Sequence, residues 1–506
     1  MGRLREEPHV LGLKDETRLR QALAEAALIF ALALCFFRWK LGQWNGFLDF
    51  DGHYHLRVVH WIAHYGLWTD IPWLPFSILG ERGPDHHWLW HVMLLPLTLI
   101  DDPAQALAWG AALNGAATAA VLAFVMRLLG VPAAPLFALL AITAGASMPY
   151  RLMMLRAQNV AIVFMVLSVW AMARSHYKTL AALAFLFLQS YHAAVILGPM
   201  ALIGCAVRSM AERRLVVTPL LAVAGGMMLA LVLSPWYPKN IEYLMFHILF
   251  KPAAPVYGTQ LSSLIGTEWY PPGWKNLWLQ CWPAHLSLGA GLAALAWRRY
   301  RDPAFRPPVD TLLAIGVAVL SLALYQRASR FAEYYVPFAA LAAGLAARDA
   351  WVPVHFARLR AAALVAWTLA AASVGVTSLD RLQLMPADDL ARIGARLNQL
   401  GTAGDAVFNS SWSDFMALVW WADGFRYING LDGHYLVYQD PARFAVWLAV
   451  SAGAVEDPAA AIEAAFGARF AVVARQHAAL ARQLMASPRT VLQAASPEGW
   501  LFEIRR

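Results

Sequence analysis

Long runs of apolar residues fix the solvent in which this chain folds. Ala22–Phe37, Leu107–Met126, Leu215–Ser234, Ser287–Trp297, Leu312–Tyr325 and Ala361–Thr377 each contain long stretches without a charge. Crossing the hydrocarbon core takes roughly 20 such residues in a helix, fewer at a thin site, because only a helix satisfies its backbone internally in lipid. The 506 residues are 60% hydrophobic and 14% charged, whereas soluble proteins carry about 25% charge. The chain therefore reads as a polytopic membrane protein. Its net charge of +8 is explained by Lys and Arg in cytoplasmic loops rather than by a nucleic-acid partner. Cys35, Cys205 and Cys281 lie in or beside apolar segments, with neither metal spacing nor a disulfide role. No small-residue cleavage site follows Ala22–Phe37, so it is expected to remain as a helix. Glu6 stands where myristoylation needs Ser or Thr.

Basic clusters set the expected topology. Arg3, Arg5, Lys14, Arg18 and Arg20 place the N-terminus in the cytoplasm, and the clusters at Arg174/Lys178, Arg208/Arg214, Arg298/Arg306 and Arg348/Arg360 follow it there. Arg38 and Lys40 run against the trend and are expected to snorkel to the outer headgroups. Parity then makes Trp88–Ile100 an interfacial helix and Ala104–Met126 a span. About eleven to thirteen crossings result, because Leu180–Val207 and Tyr243–Gln280 read either way. After Thr377 the pattern changes to short strands, Ala406–Asn409, Ala468–Ala474, Val491–Ala495 and Trp500–Ile504, alternating with helices at Ala387–Leu400, Phe415–Trp421 and Pro458–Phe466. The expected organisation is a transmembrane part, 1–377, with a first outward loop at 39–103 and a mobile outward loop at 235–280. A small extracytoplasmic α/β domain follows at 378–506.

Four outward elements carry residues that lipid does not explain. The first opens with the carboxylates Asp49 and Asp51, continues through His53, Tyr54, His55 and Arg57, and reaches Asp85-His86-His87. A carboxylate at the membrane boundary can take a proton or hold a cation where lipid presents a substrate; it can also merely solvate a loop. Imidazoles beside it are candidate metal ligands. The second element holds Arg151 and Arg156 on the side that the positive-inside bias depletes. Either a phosphate, which Arg binds bidentately, or pairing with an acid such as Asp51 would keep them there. The third, Ser234–Gln280, is broken by Pro and Gly and carries Trp236, Glu268, Trp269 and Tyr270. Its aromatics suit either a sugar ring or the interfacial belt. The fourth puts Arg327 and Arg330 at the mouth of a helix, with Glu333 deeper, where an acid needs a polar cavity. Acids and arginines gathered on one face suit a polyprenyl-phosphate or pyrophosphate substrate.

The run Phe50-Asp51-Gly52-His53-Tyr54-His55-Leu56-Arg57 resembles the first-loop motif of oligosaccharyltransferase catalytic subunits. These are integral-membrane glycosyltransferases of the C class (GT-C) that use polyprenyl-linked sugar donors. Ala146-Ser147-Met148-Pro149-Tyr150-Arg151 is similar to their second outward loop, Ile265-Gly266-Thr267-Glu268 to their mobile-loop motif, and Arg330-Phe331 to their substrate-contacting arginine. The resemblance spans most of the chain. It implies that Asp51 is a catalytic and metal-binding acid and that Glu268 lies near acceptor or metal. It also implies a divalent cation, Mg or Mn, with Asp51, Glu268 and His86 as candidate ligands. Two departures stand out. The second acidic motif should follow Arg156, but Ala157-Gln158-Asn159 carries no carboxylate, which removes one or two ligands. The acceptor-binding Trp-Trp-Asp motif is matched only imperfectly, by Ser411-Trp412-Ser413-Asp414 and Trp420-Trp421-Ala422-Asp423.

The expected activity is transfer of a sugar or glycan from a polyprenyl-(pyro)phosphate to a lipid or glycan acceptor, at the outer face of a bacterial-type inner membrane. Asp51 acts as base or metal ligand, supported by Asp49. Arg330, Arg327, Arg151 and Arg156 hold phosphate; Glu268 positions donor, acceptor or cation; His53, His55, Trp269 and Tyr270 contact substrate. A transporter or flippase of a polyprenyl-linked glycan would use the same arginines without Asp51, and would show Gly/Pro-broken helices or repeats. A non-catalytic assembly protein would tolerate the missing acids. In the C-terminal domain, Gly430 and Gly433 favour a turn that displays Asp432 and His434.

Overall fold

The computed structural model describes residues 13–44, 46–48, 50–67, 72–80, 83–250, 266–350, 357–386 and 390–505. Five of its helices are long and apolar enough to cross a membrane: Glu16–Leu41, Pro103–Leu128, His192–Glu212, Val309–Arg327 and Ala361–Leu379. Shorter apolar helices, among them Ala134–Thr143, Gln158–Ala173 and Thr218–Val232, pack between them. The first helix shows how lipid and protein divide one cylinder. Leu19, Leu23, Leu28 and Leu32 are exposed, while Ala22, Ile29, Ala33 and Phe37 are buried. The buried face meets small residues of Pro103–Leu128, including Ala112, Gly115, Ala116 and Ala119. Small residues let helix backbones approach where lipid gives no hydrophobic drive for association. Ala332–Ala350 runs through the centre and is buried along nearly its whole length.

The basic clusters that suggested topology also finish helices. Arg174 Nη2 donates to the Leu128 carbonyl at 3.0 Å, Arg208 to those of Met172 and Ala173 at 2.8 and 2.9 Å, and Arg348 to Leu129 at 2.6 Å. Cations there satisfy the unpaired carbonyls and the negative end of the helix dipole. Arg38 and Lys40 have protein partners. Arg38 donates to Gln105 at 3.0 Å and lies over Trp109, and Lys40 Nζ is 2.7 Å from Asp380. The Trp88–Ile100 segment is a helix, Trp88–Leu94, followed by a 3-10 turn, Leu95–Leu99, and Asp102 caps the helix that follows.

After Leu379 the chain builds a five-stranded sheet with order β4-β3-β5-β7-β6. Here β3 is Ala406–Asn409, β4 Arg426–Tyr427, β5 Phe470–Ala474, β6 Thr490–Ala495 and β7 Gly499–Ile504. Strands β4, β3 and β5 are parallel, and β7 and β6 are antiparallel. The expected strands and helices appear close to their predicted bounds. The edge strand β4 was not expected, since two residues carry no periodicity. The expected display of Asp432 and His434 is met only in part: both are buried, Asp432 lines the candidate-site cavity, and His434 does not, opening a helix with its Nδ1 2.9 Å from Asp432.

Two junctions join this domain to the membrane part. Strand β1, Gly46–Phe47, pairs with β2, Met385–Pro386. Helix Asp51–Tyr65 packs against helix Phe415–Trp421, where His53 meets the edge of Trp420 at 4.7 Å and Arg57 bridges Asp423 at 3.3 Å. Arg57 also donates to the Trp420 carbonyl, and Trp73 Nε1 to that of Asp423 at 2.7 Å. The imperfect Trp420-Trp421-Ala422-Asp423 motif thus docks the domain onto helix Asp51–Tyr65 and the segment that follows it.

Two neighbouring glycines give a stability test. A Cβ on Gly226 would lie 2.1 Å from the Ala181 carbonyl oxygen, whereas one on Gly225 meets nothing within 4 Å. Gly226→Ala should force apart helices Thr218–Val232 and Tyr177–Ser190 and cost about 1–3 kcal/mol, the usual range for overpacking. Gly225→Ala should be neutral or stabilising. Thermal unfolding in detergent checks the contrast; equal melting temperatures would refute it.

Candidate functional site

A cavity of about 720 Å³ opens where the loop that follows the first helix, the ends of the membrane helices and the α/β domain meet. That is the size of a typical small-molecule pocket. Asp51, His55, Arg151, Arg156, Glu268 and Arg330 line it. Asp51 is the first residue of helix Asp51–Tyr65, where a carboxylate suits the positive end of the dipole. A side chain at Gly52 would press on Leu107 and Leu155, so glycine lets this end of the helix sit close to the bundle. Arg151 lies in the short helix Met148–Leu152, and Arg156 precedes helix Gln158–Ala173. Glu268 and Arg330 lie in two 3-10 turns, Thr267–Trp269 and Ser329–Phe331. Ser329 joins these turns, its N–H donating to the Tyr270 carbonyl at 2.9 Å and its Oγ to the Glu268 carbonyl at 3.0 Å.

Glu268 is the hub. Its Oε2 is 2.6 Å from Arg151 and 3.7 Å from Arg156, and its Oε1 is 3.2 Å from Arg330. Arg156 also reaches Asp51 at 2.9 Å, so one guanidinium spans both carboxylates. Arg330 lies over the Trp269 ring, 4.4 Å from its centroid, and donates to the Tyr191 hydroxyl at 3.2 Å. Behind Arg151, Glu333 is buried with an oxygen 3.9 Å away, and Arg151 Nη1 has no hydrogen-bond acceptor among the described residues. Burial alone would raise the Glu268 carboxyl, but Arg151, Arg330 and Arg156 together hold it below the ordinary carboxylate range. The result is a fixed anion ringed by guanidinium donors. Each guanidinium has five N–H groups, so donors remain for a phosphate.

The other expected residues divide. Trp269 lines the cavity, whereas Tyr270 does not and takes part through its carbonyl. Arg327 is exposed and is not a lining residue. His53 turns toward Trp420 and the α/β domain, not the cavity. His55 faces the cavity, but its Nδ1 is 2.9 Å from His91 Nε2, and His91 Nδ1 is 2.6 Å from Asp85. Burial, then the neighbouring His87, His91 and Arg156, push the His55 imidazole well below its usual value. Asp49 lies outside the described residues. Sequence reasoning missed Tyr191, His192 and His247, which also line the cavity. A signal existed: the basic residues at Lys178 and Arg208 lie on the same expected side. The apolar stretch between them must then cross twice, leaving Gln189-Ser190-Tyr191-His192 at its outward turn.

The expected cation set of Asp51, Glu268 and His86 does not assemble among the described residues. His86 groups with His192 and His247, and a second trio is His55, His87 and His91. Mg or Mn needs about six oxygen donors. Three guanidiniums crowd the two carboxylates, and the Asn159 amide donates to the carbonyls of Leu152 and Met154 at 3.1 and 3.4 Å. These residues fit an anion rather than a hard cation. Among the described residues, the clusters of three ligating side chains are the imidazole trios.

The pairing has a pH signature. A carboxyl whose folded value is depressed adds stability that is complete above its unfolded value and is lost as pH falls toward the folded one. Wild type should therefore exceed Glu268→Gln by a constant margin from pH 5 to 8. The margin should shrink only below about pH 4.5, near the unfolded Glu value. Melting temperatures of both proteins across that range check it. A margin that vanished between pH 7 and 6 would contradict the ion cluster.

No protein-family model matches the chain, and no curated protein matches it significantly. Solved structures do. The archaeal oligosaccharyltransferase AglB from Archaeoglobus fulgidus, in complex with an inhibitory peptide and a dolichol-phosphate, is similar with a TM-score of 0.62 at 14% identity, over 92% of this chain and 70% of that one. The A. fulgidus enzyme in complex with Zn and sulfate gives 0.57 at 15%, over 90% and 68%. ArnT from Cupriavidus metallidurans, in the apo state, gives 0.52 at 15%, over 94% and 97%. The fold is that of GT-C membrane proteins carrying a C-terminal mixed-sheet domain.

Proposed function

We propose that the chain is a glycosyltransferase that moves a sugar or glycan from a polyprenyl-phosphate or pyrophosphate donor to a lipid or glycan acceptor. The observation that carries this reading is Asp51 on the wall of a cavity that also holds the Arg151, Arg156 and Arg330 cluster around Glu268, with Asp414 and Asp432 of the α/β domain among its other charged lining residues. AglB was solved with a dolichol-phosphate, which supports a lipid-linked donor here. The N-terminus lies in the cytoplasm and residues 378–506 form the domain on the outer face of the inner membrane, as the charge bias indicates.

The chemistry needs two things from the protein. An acceptor O–H attacks the anomeric carbon while the bond from that carbon to the phosphate oxygen breaks. The bonding pair leaves with the oxygen, and the acceptor proton passes to Asp51. Arg330 and Arg151 stabilise the charge growing on the departing phosphate, which is where fixed donors contribute most. Arg156 couples the two halves. It neutralises Asp51 until phosphate arrives, then turns to the phosphate and leaves a carboxylate with more basic character. Attack opposite the leaving group inverts the anomeric centre.

Purified protein in lipid, given polyprenyl-phosphate and pyrophosphate sugars with membrane extract as acceptor, should transfer label. Asp51→Asn should lose about 100-fold or more, the range for a lost general base. Arg330→Lys, which keeps the charge but loses the planar fork, should raise KM for the donor. Transfer indifferent to Asp51→Asn would sink the assignment. For topology, Ala495→Cys in a cysteine-free background should react with an impermeant thiol reagent from outside, and Arg301→Cys should not.

A further inference from the structure

Three imidazoles from three chain segments meet on the cavity wall. His86 belongs to the first outward loop, His192 opens the turn His192–Ile196, and His247 lies in the π-helical turn Phe246–Phe250. One ring nitrogen of each lies within 4.8 Å of those of the other two. His192 stacks on His247 with centroids 4.0 Å apart, and His86 lies 5.1 and 5.5 Å from them. All three line the cavity, His247 buried and the others half-buried. Tyrosine hydroxyls lie against two of the rings: Tyr243 is 3.4 Å from His86 Nε2, Tyr435 is 3.3 Å from His247 Nε2, and the two hydroxyls are 2.5 Å apart. A hydrogen bond on one ring nitrogen fixes the tautomer and the orientation that present the other nitrogen to a metal.

We infer that His86, His192 and His247 bind a nitrogen-preferring divalent cation of the zinc class, with one coordination position open to the cavity. Bond lengths near 2.0–2.1 Å put tetrahedral imidazole nitrogens roughly 3.3 Å apart, a small contraction from the present geometry. Three nitrogen ligands with an open fourth position form a site that accepts an oxygen ligand. The other trio is less suited, because His55, His91 and Asp85 are already linked in one hydrogen-bonded chain. The inferred site borders the arginine cluster, since His192 follows Tyr191, whose hydroxyl accepts from Arg330. An anionic oxygen held by the arginines could complete the cation's coordination. The inference does not depend on sugar transfer.

The full chain in detergent, stripped with chelator and dialysed against Zn²⁺, should keep about one zinc per chain by elemental analysis, and should keep no Mg²⁺ after the same treatment. Loaded with Co²⁺ instead, it should show the visible absorption of a four-coordinate site. His192→Ala and His247→Ala should each lose the metal, and His55→Ala should keep it. Tyr435→Phe should weaken zinc binding about tenfold, the effect of an outer hydrogen bond. Should His247→Ala fail to fold, as judged by gel filtration, His86→Gln on the more accessible ligand carries the test. Zinc retained in all the trio variants, no zinc retained by wild type, or loss caused by His55→Ala but not His192→Ala would each overturn the assignment.

Discussion

The contact of Glu268 with Arg151, Arg156 and Arg330 ties together segments that are far apart in sequence. Ions in so enclosed a place are a poor device for stability. Desolvation offsets most of the Coulomb gain, and replacing such a group with apolar side chains is often neutral. Removing one partner is another matter, because it strands a buried charge at about 3–5 kcal/mol. The cluster is therefore a set of mutually dependent charges, held open on one side to the cavity. Its geometry resists collapse, since Trp269 supports Arg330 from below and Ser329 locks the two 3-10 turns together.

The α/β domain supplies the remaining walls, and its attachment runs through the same helix that begins with Asp51. Arg57, two turns along that helix, is fixed by Asp423 and the Trp420 carbonyl, and Tyr54 packs near Phe415. Trp412, Asp432 and Tyr435 of the domain face the cavity opening. Position along one helix thus sets both where Asp51 points and how the domain sits. The Trp420-Trp421-Ala422-Asp423 segment serves as a dock, whereas Trp412, Ser413 and Asp414 of the other imperfect match line the cavity.

Much of this was legible because lipid and the β pleat impose strict periodicities. Uncharged runs marked four of the five long apolar helices, missing His192–Glu212, and short strand-like stretches marked β3, β5, β6 and β7. The candidate site was legible where a residue type stood out: Arg151 and Arg156 where the charge bias expects few cations, Glu268 as the only acid in the second half of its loop, Asp51 just after the first apolar segment. What stayed hidden were partnerships. Nothing local says that Lys40 finds Asp380, that His53 turns to Trp420, or that His86 meets His192 and His247. Such contacts join residues separated by more than 100 positions in most cases, and no spacing rule reaches across that distance. Tyr191 and His192 were concealed for a different reason, since a hairpin of two helices with a short polar turn reads as one long apolar segment.

The absence of a carboxylate after Arg156 changes the immediate surroundings of Asp51 and Glu268. In a pocket built for a hard cation, the ion supplies the positive charge beside its carboxylate ligands. Here three guanidiniums surround Asp51 and Glu268, with Glu333 set behind Arg151 and with Asp414 and Asp432 of the α/β domain elsewhere on the cavity wall. The positive charge is built into the chain. A guanidinium offers directed hydrogen bonds where a metal offers a stronger point charge. On the proposed reading Asp51 acts as a base rather than a ligand, and its pairing with Arg156 is exchanged when an anion competes for the same guanidinium. Gln158, an amide on the cavity wall, can then contact a polar ligand without repelling its phosphate. On the proposed function, the same departure that weakens a carboxylate metal site leaves the arginines free of a further acid beside Arg156 when they meet a negatively charged lipid headgroup.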